Sequence, residues 1–463
     1  MTFERYHIPI RIIPGRASPV PKFVITRADN CVNCGKCEKA CIFGVHKRSE
    51  ADFRKMSDPL SHLCKNCFRC ISDCPQRALS MSIGSDYKAL GRGIWTPLRI
   101  STIWGEAETG KIPVLGAGFR GMFAGPDYDG MWTDMSEIVR PTRDGIHGRE
   151  SISTCADIGG KPSRLEFGGS SELKTVMPPS IELSIPMLLD TSRLTYHNNA
   201  ILLGCAQASR LLDSIVLVSE SSITQELLDV AGRRIVPVIS EGSDIKTLKL
   251  DDRVHMVELS VGSSWKMAFK NLSKSYPDVV IALRIQASKG IEDKVLEMLD
   301  ADVPVIHIDY DDDGRESGRG ETRHAKDSML SIHRALVSRG ARDRITIITS
   351  GGIAAAEHVP KSIICGADLV SLDKSLMVAL SCRNCVDCTG STCPASIDCS
   401  DRDWVEGRMT NLVGAWRDQM LELLGAMGIR EVRRLRGEIG RAIFFEDIER
   451  DMDAILSDGE KHG

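Results

Sequence analysis

The sequence predicts an α/β fold in which eight parallel strands close into a TIM (β/α)8 barrel, followed by C-terminal helices. Two observations carry this prediction. From about residue 166 onward, short runs rich in β-branched residues alternate with helical stretches, a pattern typical of parallel β/α units. The same region contains no working dinucleotide-binding turn, which favours a closed barrel over an open doubly wound sheet.

Seven candidate strands follow from this pattern. They are SIVLVS, RIVPVI, VHMVELS, DVVIALRI, VPVIHID, ITIITS and ADLVSLD. The sequence as a whole predicts four parts: an N-terminal domain at 1–85, a connector at 86–165, the barrel at 166–400 and a helical extension at 401–463. The connector is rich in glycine, proline and tryptophan and lacks clean periodicity, so we expect it to be extended.

Composition places the chain among ordinary globular proteins. It has 463 residues, 42% of them hydrophobic and 26% charged, with a formal net charge of −4. That balance predicts no general attraction to nucleic acid or to anionic membranes. The first twenty residues contain no long apolar segment, so we expect no membrane span and a cytoplasmic location.

The sixteen cysteines are the most unusual feature of the sequence. Eight form two runs with the spacing C-x2-C-x2-C-x3-C, as in bacterial two-cluster ferredoxins, where the fourth cysteine of each run binds the other run's cluster. The predicted ligands of one [4Fe-4S] cluster are Cys31, Cys34, Cys37 and Cys74, and those of the second are Cys64, Cys67, Cys70 and Cys41. Zinc knuckles are the alternative, which two matched four-cysteine runs disfavour. About residues 22–85 thus resemble a bacterial ferredoxin, although Ile42 stands where a proline often follows the first run.

A glycine-rich stretch in the connector imitates a nucleotide-binding motif. PVLGAGFRG matches G-x-G-x-x-G through Gly116, Gly118 and Gly121. A dinucleotide site needs a helix that begins at this loop, but Gly125 and Pro126 interrupt the stretch where the helix should run. We therefore predict no NAD(P) site in this chain.

The ends of the last two predicted strands point to a phosphate site. Ser350, Gly351 and Gly352 end one strand, and Asp373 and Lys374 end the next. Loops after strands seven and eight of TIM barrels commonly bind phosphate, because glycines let backbone N–H groups approach its oxygens. A tight β/α turn without a ligand is the alternative explanation for the two glycines.

Beyond these loops the chain resembles the FMN-binding synthase domain of glutamate synthases, over about residues 166–440. The resemblance rests on the order SGGI, GAD and C-x5-C-x4-C-P, the last formed by Cys382, Cys388, Cys393 and Pro394. It implies that these three cysteines hold a [3Fe-4S] cluster beside FMN. Cys385 and Cys399 lie close by in sequence, which would allow a [4Fe-4S] cluster instead. Ferredoxin modules ahead of such a domain are typical of archaeal-type stand-alone subunits.

The resemblance implies a function as well as cofactors. Electrons would pass between the two N-terminal clusters, the third cluster and FMN, which would reduce 2-iminoglutarate formed from 2-oxoglutarate and ammonia. A redox partner, such as ferredoxin or another redox subunit, would exchange electrons with the chain. No amidotransferase domain is visible, so ammonia would come from solution or from a separate amidotransferase subunit.

Three departures from the family bear on the substrate. Arg284 stands where the family has a lysine beside the flavin ring, and a guanidinium does not replace an ammonium like for like. HIDYDDDGRESGR replaces a glycine-rich family loop, and no GEGG segment is present. The alternative functions are an FMN and iron-sulfur electron-transfer subunit without glutamate synthesis, and a degenerate barrel that has lost FMN.

Overall fold

The computed structural model describes residues 6–17, 19–113, 123–133, 151–162, 164–169, 172–195, 198–241, 243, 249–385, 388, 393, 395, 397 and 401–459. The chain divides into two compact units. The smaller unit comprises Gly15–Ser101 and Arg383–Ser396, and the larger comprises Met1–Pro14, Thr102–Cys382 and Ile397–Gly463. The domain boundaries proposed from the sequence stay predictions.

The smaller unit is built around its cysteines. Strands Phe23–Arg27 and Leu79–Ile83 pair antiparallel, and the short helices are Lys36–Ala40, Arg69–Ser72 and Ser85–Lys88. Its core contains Ile25, Val45, Leu79, Cys37 and Cys70. Because two of these are predicted cluster ligands, the predicted clusters lie against the core of the unit.

The larger unit contains a closed barrel of eight parallel strands. In chain order the strands are β1 Met187–Asp190, β2 Val216–Ser219, β3 Ile235–Ile239, β4 Met256–Ser260, β5 Val280–Gln286, β6 Val305–Asp309, β7 Thr346–Ser350 and β8 Leu369–Leu372. The ring closes where β8 pairs with β1, Val370 opposite Met187. The predicted barrel is confirmed, and the seven candidate strands are β2 to β8. The sequence pattern missed β1, whose four residues include no β-branched side chain.

Helices alternate with the strands along the chain. They are Asn199–Leu211, Gln225–Ala231, Trp265–Ser275, Ile291–Asp300, Ala325–Ser338, His358–Ile364 and Lys374–Ala379. Two of them begin at the residue types that favour N-caps: Asn198 accepts a hydrogen bond from the Ile201 N–H at 2.9 Å, and Thr224 accepts one from the Leu227 N–H at 3.2 Å.

The apolar core of the barrel is at the end where the strands begin. The strands contribute, among others, Leu188, Leu217, Val236, Met256, Ala282, Val305, Ile348 and Leu369. Ile158 and Leu183 join this core from an antiparallel pair, Ala156–Gly159 with Ser180–Leu183. The opposite end, where the strands finish, carries the polar residues.

The predicted extended connector is wrong for one segment, because Pro97–Thr109 is a helix. Ile100, Ile103 and Ala107 are fully buried at a spacing of three and four, so the helix packs through one apolar face. The pattern was obscured by the residues that lie between these positions, which include Ser101, Thr102, Gly105 and Glu106. The false nucleotide motif, Gly116 to Gly121, lies outside the described residues.

The C-terminal part contains helices Arg402–Ala426 and Phe445–Gly459. Between them, strand Ala442–Phe444 pairs antiparallel with Met131–Thr133. Among the described residues, no helix has the length and apolar composition that crossing a membrane requires.

Candidate active site at the barrel mouth

Polar side chains gather where the barrel strands end, here called the barrel mouth. Strand register places Arg284 of β5 opposite His307 of β6, and Asp309 of β6 opposite Ser350 of β7. Ser350 in turn lies opposite Ser371 of β8. Residues at these ends lie on one face of a TIM barrel, which is where the chemistry of this fold takes place.

The first charged group at the mouth is centred on Arg284. Its Nη2 donates to Asp190 Oδ2 at 2.5 Å, its Nη1 donates to Ser192 Oγ at 3.1 Å, and its Nε pairs with Glu258. Glu258 also meets Nδ1 of His307 at 2.8 Å. Burial alone would lower the pKa of Arg284, but the carboxylates of Asp190 and Glu258 outweigh burial and raise it. Arg284 is therefore a permanent cation with all three nitrogens engaged.

The second charged group is centred on Arg193, which follows β1. Its Nη1 pairs with Asp309, donates to the Tyr310 carbonyl at 3.0 Å and lies 3.2 Å from Asp373 Oδ2. Ser350 Oγ donates to Asp309 Oδ1 at 2.6 Å. Burial raises the pKa of Asp373 to about 6, against the opposing effect of Arg193. Asp373 is thus the carboxyl at the mouth whose pKa lies close to neutral.

The glycines after β7 are required by their surroundings. Gly351 and Gly352 have φ of +88° and +71°. A Cβ on Gly351 would lie 2.5 Å from the Tyr310 carbonyl oxygen, and a Cβ on Gly352 would lie 2.4 Å from the Cα of Gly314. The loop after β6 therefore packs directly on the loop after β7, and only glycine fits both positions.

The same loops fit an anion such as the FMN phosphate. Within the described part of the chain, the backbone N–H groups of Gly351 and Gly352 donate no hydrogen bond. Ser375, at the start of the helix that follows β8, has a buried hydroxyl without a partner in the same described part. Lys374 provides an ammonium, although its Nζ lies 2.5 Å from Asp312 Oδ2. Unpaired backbone donors, a hydroxyl and an ammonium are groups that bind phosphate.

Sequence reasoning found only part of this arrangement. Of the predicted cofactor residues, Arg284, Ser350 and Asp373 lie in the charged groups. Gly351 and Gly352 lie in the loop after β7, and Lys374 begins the helix after β8. The role of all six in binding FMN stays a prediction. Sequence reasoning missed Asp190, Arg193, Glu258, His307 and Asp309. A charged residue inside an otherwise apolar strand, as in VELS and HID, was the signal that could have found three of them.

The two four-cysteine runs have matched backbone conformations. Asn33 and Asn66, each just before the second cysteine of its run, have φ of +52° and +59°. The residues just after that cysteine, Gly35 and Phe68, have φ of +73° and +59°. Each run therefore curls in the same way, as a loop that wraps several corners of one cluster requires.

The predicted ligands of the second cluster lie together. Cys41, from the first run, lines one cavity with Cys64, Cys67 and Cys70 of the second run. Burial and, to a smaller extent, the neighbouring Cys41 together raise the pKa of the Cys70 thiol to about 11. In the first run, Cys37 is close enough to Cys31 for that thiol to raise its pKa, after the larger effect of burial. The exchange of fourth ligands stays a prediction, which this placement of Cys41 supports.

The third cysteine stretch spans the division of the chain into units. Cys382 ends a segment of the larger unit, and its N–H donates to the Met377 carbonyl at 3.2 Å. Cys385, Cys388 and Cys393 belong to the smaller unit. Pro394 and Cys399 lie outside the described residues. The third cluster stays a prediction.

One further group offers metal-binding atoms. Asp129, Glu357 and His358 have ligand atoms within 4.8 Å of one another. The Lys361 ammonium lies 3.4 Å from Glu357 and donates to the Tyr128 carbonyl at 2.7 Å. Because this ammonium already balances a carboxylate, the group needs no metal to be stable.

The chain is similar to known proteins. Residues 256–430 match the family model described as a conserved region in glutamate synthase. The archaeal-type glutamate synthase (NADPH) of Dehalococcoides mccartyi is 22% identical, covering 90% of this chain and 94% of that protein. The archaeal glutamate synthase (NADPH) of Archaeoglobus fulgidus is 24% identical, covering 95% and 98%. The chain resembles glutamate synthases along nearly its whole length. The predicted resemblance is confirmed.

The glutamate synthase region, 256–430, begins at β4 and includes Arg284, Ser350, Asp373 and Cys382. Asp190 and Arg193 precede it, so the charged groups combine residues from inside and outside the region. Among solved structures, the flavin-binding domain of baker's yeast flavocytochrome b2 aligns with 77% of this chain and 81% of its own, at 11% identity and a TM-score of 0.42.

Proposed function

We propose that this chain is a glutamate synthase-like iron-sulfur flavoprotein. Electrons pass from its ferredoxin-type clusters to FMN at the barrel mouth and reduce 2-iminoglutarate, formed from 2-oxoglutarate and ammonia, or a related small substrate. One observation carries the proposal. The glutamate synthase region contains the loops after β7 and β8 and the cysteine stretch that follows them.

The residues at the mouth have distinct parts in this proposal. The N–H groups of Gly351 and Gly352, the Ser375 hydroxyl and the Lys374 ammonium hold the phosphate. FMN, when bound, supplies the conversion between one-electron transfer by clusters and two-electron reduction of the substrate. Asp373, whose pKa of about 6 lies near neutral, is suited to exchange a proton at its carboxyl oxygen.

Electrons reach the chain from a partner. The relatives' names specify NADPH, whereas the sequence offers no dinucleotide fingerprint. We infer that a redox protein, such as ferredoxin or another redox subunit, delivers electrons to the N-terminal clusters. A separate amidotransferase subunit or free ammonium supplies the nitrogen.

Anaerobic purification with iron, sulfide and flavin analysis tests the cofactors. We expect about eight iron atoms from the two N-terminal clusters, three or four more from the third, and about one FMN. Stoichiometric zinc with no iron in the N-terminal runs, or no flavin, would contradict the proposal. Glutamate formed from 2-oxoglutarate, ammonium and reduced ferredoxin tests the reaction.

The third cluster has a separate test. Cys388→Ala should remove its EPR signal and slow the reduction of FMN by ferredoxin, because we propose that electrons pass through this cluster. Cys155→Ala, at a cysteine outside the runs, is the control. A variant that kept all its iron and reduced flavin at the normal rate would remove the third cluster from the route.

One observation favours the alternative of an electron-transfer subunit without glutamate synthesis. Both guanidinium groups described at the mouth are engaged by carboxylates: Arg284 by Asp190 and Glu258, and Arg193 by Asp309 and Asp373. A dicarboxylate such as 2-iminoglutarate needs cations that are available to it. Flavin reduction by ferredoxin without any turnover of 2-oxoglutarate and ammonium would select this alternative.

A further inference from the structure

We propose that the second N-terminal cluster is the port at which an acidic electron-carrier protein docks. The docking face consists of Ile42, Phe43, Lys65, Phe68 and Arg69, and is called the Phe68 face below. The inference rests on the proposed function, because it assumes that Cys41, Cys64, Cys67 and Cys70 hold a cluster. It adds which cluster receives the electrons and what kind of protein brings them.

The apolar part of the Phe68 face adjoins the predicted cluster. Phe43 and Phe68 line the same cavity as the four cysteines. Both rings are nevertheless open to solvent, at 38% and 52% exposure, and the neighbouring Ile42 is 79% exposed. Cys67 is exposed as well. A protein that covers these side chains comes close to the cluster without any rearrangement of the core.

Phe68 has an unusual backbone conformation for a residue with a large side chain. Its φ of +59° is a backbone conformation that bulky side chains rarely adopt, and the equivalent position of the first run is Gly35. A ring that is half exposed gains little from burial. Phe68 therefore occupies a position where glycine would serve the fold better, which is expected if the ring contacts another molecule.

Charge identifies the kind of partner. Residues 15–101 contain fifteen Lys and Arg against seven Asp and Glu, a formal net charge of +8, whereas the whole chain carries −4. Lys36, Lys39, Lys65 and Arg69 are exposed around the two runs, and none forms an ion pair with another described residue. An acidic surface complements this arrangement.

An electron carrier is the acidic protein that this face suits. Redox partners associate through small interfaces, and opposite charges speed their encounter more than they tighten the complex. Exposed apolar side chains next to Lys65 and Arg69, which form no ion pair with another described residue, match that type of contact. The association rate should accordingly fall as ionic strength rises.

The experiment measures electron delivery to the anaerobic holoprotein. A small acidic ferredoxin, reduced beforehand, is mixed with the protein by stopped flow, and bleaching of the clusters gives the second-order rate constant. Lys65→Glu with Arg69→Glu should lower that constant about tenfold or more at low salt, with the difference shrinking in high salt. Lys270→Glu, at an exposed lysine on helix Trp265–Ser275, is the matched control and should have little effect.

Phe68→Gly provides an independent test of the docking face. Because glycine suits this backbone conformation, the variant should keep its iron and its melting temperature, yet accept electrons from ferredoxin several-fold more slowly. A small uncharged reductant should reduce wild type and variants equally, since it needs no docking face.

The outcomes separate the two proposals. Rates unchanged in both the charge-reversal variant and Phe68→Gly overturn the docking face while leaving the proposed function intact. An equal loss with Lys270→Glu also overturns it, because the effect would then reflect overall charge. A purified protein that lacks the second cluster overturns both proposals.

Discussion

At the scale of single residues, Arg284 shows how a buried charge is made tolerable. Its side chain is 9% exposed and its partners Asp190 and Glu258 are fully buried. Arg284→Met would remove the cation that these two buried carboxylates share, so we expect the free energy of unfolding to fall by about 3–5 kcal/mol. Urea unfolding followed by circular dichroism measures this loss. Lys270→Met, at an exposed position, is the control, and an equal effect there would contradict the argument.

Glu106 gives a prediction about pH. It is buried and accepts hydrogen bonds from Trp416 Nε1 at 2.8 Å and Gln419 Nε2 at 2.7 Å. Burial raises the pKa of Glu106 to about 7 against these bonds. The folded state therefore holds the proton more tightly than the unfolded state, and stability falls as pH rises from about 4.5 to 7.

Glu106→Gln should remove this slope, because an amide does not titrate and Gln419 can turn its own amide to accept from it. Relative to wild type, the variant should gain stability between pH 5 and pH 8, by about 2–3 kcal/mol in all. Unfolding curves across this range make the measurement. Glu449→Gln, at an exposed glutamate, should show no such gain; parallel curves for wild type and Glu106→Gln would refute the expectation.

At the scale of elements, the loops after β6 and β7 depend on one another. Gly352→Ala would place a Cβ 2.4 Å from the Cα of Gly314, so one of the two loops must move. We expect the variant to lose FMN, which gel filtration followed by flavin absorbance measures. Gly320→Ala has the same type of φ, +90°, but nothing within 4 Å. Both variants carry about 1–2 kcal/mol of backbone strain. If Gly320→Ala lost as much flavin as Gly352→Ala, strain and not the close approach of the two loops would be the cause.

Two helical glycines should respond to alanine in opposite directions. Gly204 lies where helix Asn199–Leu211 meets helix Arg402–Ala426, and a Cβ there would lie 2.6 Å from Val405 Cβ. Gly105, in helix Pro97–Thr109, has nothing within 4 Å. Gly105→Ala should therefore stabilise by about 1 kcal/mol through helix propensity, whereas Gly204→Ala should destabilise. Melting temperatures of the two variants compare them, and equal shifts would count against close helix contact.

At the scale of the whole molecule, the two N-terminal runs are expected to work as one. Cys41 belongs to the first run but lines the cavity of Cys64, Cys67 and Cys70. Cys41→Ser should thus give the same altered EPR spectrum as Cys67→Ser, and a different one from Cys34→Ser, with a partial loss of iron in each. Cys155→Ser is the control. If Cys41→Ser matched Cys34→Ser instead, each run would hold its own cluster.

The sequence by itself determined the features that depend on neighbouring residues. The spacing within each cysteine run, the period of seven barrel strands and the glycines after β7 are all local patterns. A run such as ITIITSGGI predicts a buried strand that ends in a tight turn. It can do so because side-chain pattern and the need for positive φ both act over a few neighbouring residues. The strand β1 was missed for the same reason, since its four residues carry too little local pattern.

Only the tertiary structure decided which charges meet at the barrel mouth. Arg284 and Asp190 are 94 positions apart, and Arg193 and Asp309 are 116 positions apart. Closing the barrel brings the ends of distant strands together, and no local rule relates the residues there. Burial and the nearby cations then determine their properties. At Glu258 the effects of Arg284 and His307 together outweigh burial and the pKa falls, whereas at Asp373 burial outweighs the charge of Arg193 and the pKa rises.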